Sequence, residues 1–116
     1  MSRSSITTEG APAGRQAAEL QNPHPGVILK QEFLAEIGMS QNQLAQAIGV
    51  PGNRIHAIVN GSRNITADTD LRLCRFFKLS EGYFLRLQNA YDVLEAKRHI
   101  GEQIGQIQPY APQNAV

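Results

Sequence analysis

The sequence predicts an all-α protein: a compact bundle of five helices, the last of them the longest. Three observations carry that reading. No stretch alternates apolar and polar residues as a half-buried strand would. Apolar residues recur instead at three- and four-residue spacing in five segments, each bounded by cap or breaker residues. One periodic stretch, QLAQAIGVPGNRIHAIVNG from Gln43 to Gly61, is broken in its middle by Gly49-Val50-Pro51-Gly52, which cannot stay helical.

Residues 1–22 are rich in Ser, Thr, Gly and Ala, with Ile6 and Leu20 as the only large aliphatics, and are expected to form a flexible arm. The folded domain is expected over 23–100, followed by a loose tail over 101–116. Asn22-Pro23-His24-Pro25-Gly26 opens the domain, with Pro25 suited to a first helical turn and His24 at the helix entry. Leu29, Phe33, Leu34 and Ile37 make one apolar stripe that ends at Gly38. Ser40 and Gln43 have the spacing of a capping box, and the second helix turns Leu44, Ala45 and Ile48 inward. A third helix from about Gly52 to Asn60 buries Ile55, Ile58 and Val59 and stops at Gly61. Thr66, followed by Asp68 and Asp70 near the positive end of the dipole, opens a fourth helix to about Lys78. Ser80 and Glu81 open the fifth, which runs through about Arg98.

Composition narrows the function classes. A chain of 116 residues with 41% apolar content makes one domain with a modest core. No run approaches the roughly 18 apolar residues of a membrane span, and the N-terminus lacks the apolar centre of a signal peptide, so a soluble, cytoplasmic protein without membrane partners is expected. Cys74 is the only cysteine and lies in the apolar run LRLCRFFKL, where it reads as core; neither a disulfide framework nor a cysteine zinc site is available. His24, His56 and His99 are scattered, and no phosphate loop, nucleophile elbow or dinucleotide fingerprint is present. No catalytic residue, metal or cofactor is therefore expected.

The placement of charge says more than its sum of +1. Between Glu36 and Asp68 there is no carboxylate, while Arg54 and Arg63 lie inside that interval, which makes it a candidate polyanion-facing surface. The broken helix lies within it. Gly49 ends the second helix in a left-handed turn, Pro51 delays re-entry, and Val50 can bury itself in the elbow. Two short helices joined at such an elbow form a helix-turn-helix, whose second helix can enter a major groove. The outward positions of that helix are Asn53, Arg54, His56, Ala57 and Asn60. Asn suits an adenine edge and Arg a guanine edge or a phosphate. Ser40 and Gln41 stand where the free N–H groups of the second helix favour a phosphate oxygen, and Asn60 and Arg63 can clamp the backbone at the other end.

At these residues a resemblance appears. SQNQLAQAIGVPGNRIHAIVNGSRNIT resembles the phage-repressor-type helix-turn-helix, with Gln at the start of the second helix, Leu-Ala within it and Gly at the turn. With HPGVILKQEFL before it, and NGSRNITADTDLRLCRFF and EGYFLRLQNAYDVLEAK after it, the chain is similar to the HigA-type antitoxins, the virulence-associated protein I family, over about residues 22–98. The resemblance implies a lambda-repressor-like domain, homodimerisation, repression of its own operon at a double-stranded operator, and neutralisation of a small ribosome-dependent ribonuclease toxin of the HigB type. Two positions depart from the family pattern. Gly52 stands early in the recognition helix, where a side chain often contributes, and Ser62 stands where a basic residue is frequent.

The residues give independent support for a dimer. Phe84, Leu87, Tyr91 and Leu94 follow 3-4-3 spacing, while Tyr83, Leu85 and Val93 add apolar character on other sides. A helix apolar over so much of its circumference packs on its own domain and on a second surface. Phe84, Leu87, Tyr91 and Leu94 are the expected dimer contacts. Two alternatives to a DNA-binding antitoxin stay open on the residues: a stand-alone helix-turn-helix regulator, and a toxin-neutralising module that no longer binds DNA.

Overall fold

The computed structural model describes residues 21–113, and the expected flexible arm lies almost wholly outside them. Every regular element among the described residues is helical. The first helix, α1, comprises an α-helical turn Pro25–Ile28, a π-helical segment Leu29–Leu34 and a last turn Ala35–Ile37. It is followed by α2 (Gln41–Ile48), α3 (Gly52–Val59), α4 (Ala67–Phe77) and α5 (Tyr83–Gly105). The five-helix reading is met, with corrections to individual residues.

The entry to α1 is built by His24-Pro25-Gly26. His24 is the N-cap, its Nδ1 accepting the N–H of Gly26 at 3.0 Å, and Pro25 occupies the first turn, where its missing N–H costs nothing. Gly26 is there because α3 crosses against it: a Cβ at 26 would lie 1.8 Å from the carbonyl oxygen of Ile58. Asn22, assigned to the arm by composition, already docks on α5, donating from Nδ2 to the carbonyl of Tyr91 at 3.0 Å and to Glu95 at 3.1 Å.

The π segment corrects the apolar stripe of α1. Bonds from residue i to i+5 bring Leu29 and Leu34 to one side, and both are buried. Phe33 packs against the rings of Phe77 and Phe84, at 5.0 and 5.2 Å between centroids. The wider turn carries Ile37 out of the stripe, and it is 53% exposed. Gly38 then ends the helix at φ 68°.

The core joins all five helices through Leu29, Leu34, Leu44, Ala45, Ile48, Val50, Ile55, Ile58, Ile65, Leu73, Cys74 and Phe84. Cys74 is buried among them as expected. Ser80 and Glu81 do not cap α5. Its N-cap is Gly82, and the N–H groups of Gly82, Phe84 and Leu85 donate instead to the buried carboxylate of Asp70, at 2.7, 2.8 and 3.1 Å. A carboxylate on α4 thus does for α5 what a local cap would do, and it locks the two helices together. Helix α5 also continues to Gly105, past the expected end at Arg98 and into the region expected to be a loose tail; Ile100 interrupts its regular geometry. Ile65 and α5 are tied by Gln88, which accepts the Ile65 N–H at 2.8 Å.

The expected dimer face needs one correction. Phe84 is fully buried in the chain's own core and offers no surface to a second copy. It lies on the inner side of α5, with the aromatic rings of α1 and α4 around it. Leu87, Tyr91 and Leu94 are half-buried.

Candidate nucleic-acid interface

The elbow between α2 and α3 is formed by backbone chemistry. Ser40 and Gln43 make the reciprocal capping box, with Oγ accepting the Gln43 N–H at 3.0 Å and Oε1 accepting the Ser40 N–H at 2.8 Å. At the far end of α2, Gly49 takes φ 75°, which lets the Val50 N–H close back on the Ala45 carbonyl at 3.0 Å. Val50 fills the inside of the elbow, and Pro51 is the extended N-cap of α3. Burial of Ile55 and Ile58 fixes the inner side of α3. Asn53, His56 and Asn60 are exposed on the other side, with Ala57 half-buried between them.

Arg54 does not project outward with these residues. It is four positions before Ile58, on the flank of the buried side, and it lies down on the domain. Its Nη1 donates to Asp68 Oδ1 at 3.0 Å, and its Nε–H is buried without a partner among the described residues. The same carboxylate oxygen accepts from Arg72 Nε at 2.8 Å. The hydrogen bond from Arg72 first, then the Arg72 charge and the bond and charge of Arg54, hold the Asp68 carboxyl below the usual carboxylate range, against an opposing effect of desolvation.

Two other expected contacts are held by neighbours. His56 Nε2 is 3.0 Å from Asn42 Oδ1, a link from α3 back to α2. Gly52 makes room for it, since a Cβ there would stand 2.9 Å from the same Asn42 oxygen. A side chain at 52 would therefore meet the Asn42 amide in the position from which it contacts His56. Asn60 Oδ1 accepts from both the N–H and the hydroxyl of Ser62, at 3.0 and 2.7 Å, so the pair shapes the bend after α3. Arg63 follows in the exposed loop, with its own N–H on the Ala57 carbonyl at 3.1 Å.

At the start of α2 the capping box consumes two N–H groups, and those of Gln41 and Asn42 have no intrahelical acceptor. A groove of about 390 Å³ opens beside them, lined by Lys30, Met39, Ser40, Gln41, Asn42 and His56 among others. Lys30 is a cation beside the helix terminus that no sequence motif marks. Its signal was only that it is a lone basic residue on the exposed side of α1. Among the described residues no group of His, Cys, Asp or Glu side chains could hold a metal ion.

Comparison with known proteins decides what this elbow belongs to. A helix-turn-helix family model matches residues 29–84. Virulence-associated protein I of Dichelobacter nodosus is 44% identical over 87 residues, 75% of this chain and 79% of the relative. The structure of an addiction module antidote protein of the HigA family from Coxiella burnetii superposes with a TM-score of 0.74 at 44% identity, over 78% of this chain and all of that one. This chain belongs to the HigA antitoxin family. A further HigA, the Pseudomonas aeruginosa antitoxin solved with the higBA promoter, has a TM-score of 0.74 at 37% identity over the same 78% of this chain and all of its own. The chain is accordingly a HigA-family antitoxin with a DNA-binding helix-turn-helix, a transcription regulator of a toxin–antitoxin system and not an enzyme. No helix among the described residues is long and apolar enough to cross a membrane.

Proposed function

We propose that this HigA-family antitoxin represses its own operon as a two-fold dimer in the cytoplasm and neutralises a HigB-type ribonuclease toxin. The observation that carries the reading is the α2–α3 elbow within a stretch of sequence, residues 37–67, that contains no carboxylate. The Pseudomonas aeruginosa relative solved with promoter DNA supports it.

In this reading Ser40, the free N–H groups of Gln41 and Asn42, and Lys30 hold one phosphate stretch. Arg63, with the Asn60–Ser62 bend, holds the next. Asn53, His56 and Ala57 face the base edges, Ala57 as an apolar contact suited to a thymine methyl. Arg54 is left out of this set, because its guanidinium already serves Asp68. Leu87, Tyr91 and Leu94 bring two copies together so that paired recognition helices stand about 34 Å apart on successive major grooves. A mobility shift with the DNA upstream of its own gene, and co-purification with the product of a neighbouring toxin gene, test the two halves of the reading. A shift without co-purification favours a stand-alone regulator; co-purification without a shift favours a neutralising module alone.

A further inference from the structure

Arg72 and Asp68 lie on α4, outside the helix-turn-helix, yet three polar bonds run from them to its two arms, and a fourth joins the pair to each other. Arg72 Nη1 donates to the carbonyls of Ile48 and Gly49, at 2.8 and 3.3 Å, where α2 ends. Arg72 Nε donates to Asp68 at 2.8 Å, and Asp68 accepts Arg54 of α3 at 3.0 Å. One guanidinium therefore reaches the end of α2 directly and α3 through a carboxylate and a second guanidinium. We propose that Arg72 is a positioning residue for DNA recognition, and that the chain Arg72–Asp68–Arg54 fixes the angle of α3 against α2. The proposal rests on the DNA-binding reading above.

The chemistry of each member fits this role. The planar guanidinium offers donors in two fixed directions, as a bridge between a carbonyl pair and a carboxylate requires; a lysine ammonium is a single point charge on a flexible stem. The carbonyls of Ile48 and Gly49 sit at the negative end of the α2 dipole, where a cation is favoured. Asp68 is held in its charged form by both arginines, with Arg72 the stronger influence. Arg54 is only 24% exposed at its side chain and keeps a buried, unpartnered Nε–H, so its present place is against the protein. Apolar burial fixes the inner side of α3 through Ile55 and Ile58, with Val59 half-buried, and Gly26 of α1 packs against its backbone. The polar chain adds a tie from α3 to α4 and to the end of α2.

The test compares wild-type protein with R72A, R72K, D68N and R54A. Affinity is measured for the DNA upstream of its own gene and for a scrambled duplex of equal length, at several salt concentrations, with melting curves as the folding control. Positioning predicts that R72A and D68N lose about fivefold or more in operator affinity. Their scrambled-duplex affinity and salt slope should stay those of wild type, because no phosphate contact is removed. R72K should fall with R72A, and R54A in the R72A background should cost less than it does alone, since both act through Asp68. D68N keeps the shape of the side chain and decides the matter if R72A is unfolded. Wild-type operator affinity in R72A or D68N overturns the proposal. So does a loss shared equally by both duplexes with a salt slope reduced by about one, which would make these arginines phosphate contacts. A wild-type protein that does not discriminate the two duplexes overturns the DNA-binding reading, and this proposal with it.

Discussion

Replacing Gly26 with alanine would put a methyl carbon 1.8 Å from the Ile58 carbonyl oxygen and 2.8 Å from the Val59 Cα, both backbone atoms that cannot swing aside. α1 and α3 would have to separate, so G26A should lose about 3 kcal/mol or more of unfolding free energy in a denaturant titration. Full stability would contradict the close crossing of the two helices. Asp70 makes the corresponding polar case. Its two oxygens accept three backbone N–H groups at the start of α5, and D70N would aim an amide donor at one or more of them. A loss of about 2 kcal/mol is expected, measured in the same titration; an unchanged midpoint would mean that α5 is capped some other way. Neither residue's role is legible in the local pattern. Asp70 reads as a dipole-favoured carboxylate in the first turn of its own helix, and only the placement of α5, fourteen positions on at Phe84, reveals where its oxygens go.

The elements themselves were largely legible because their ends are set by nearby chemistry. The capping box at Ser40 and Gln43, the left-handed glycines at 38 and 49, and Pro51 act through bonds spanning a few residues, and all lie where the pattern places them. The π segment in α1 was not legible: an apolar residue every three or four positions looks alike whether the fourth or fifth amide closes the turn. The direction of Arg54 is open in the sequence for a related reason. Its periodicity permits an outward or a flanking direction, and the choice is made by Asp68, which only the packing of α4 brings within reach. Asp68 yields a prediction in solution. A carboxyl with a lowered pKa contributes fully above its ordinary value, and that contribution is lost as pH falls through the lowered one. An NMR titration of the Asp68 carboxyl should therefore show a midpoint below that of a free aspartate, and R72A should raise it more than R54A does. A midpoint at the ordinary value in wild-type protein would remove both ion pairs.

At the scale of the molecule, the apolar surplus on the last helix is legible in the sequence, but not which of its residues the chain's own core takes up. Phe84 belongs to the core of the chain, whereas Leu87, Tyr91 and Leu94, the proposed dimer contacts, keep part of their surface outside it. L87R or Y91R should give monomers or insoluble protein, since an unpaired charge would enter a desolvated contact; a dimer of normal operator affinity from either would move the interface elsewhere. On the proposed function, the α2–α3 surface recognises a specific operator. Fluorescence anisotropy on the full-length protein tests it most directly, with the duplex from upstream of its own gene against a scrambled duplex of the same length and composition, across a salt series. Operator recognition by this surface predicts a preference of about 10³ or more for the operator at physiological salt, with affinity falling as salt rises. Equal affinity for both duplexes, or no binding at low salt, would contradict it.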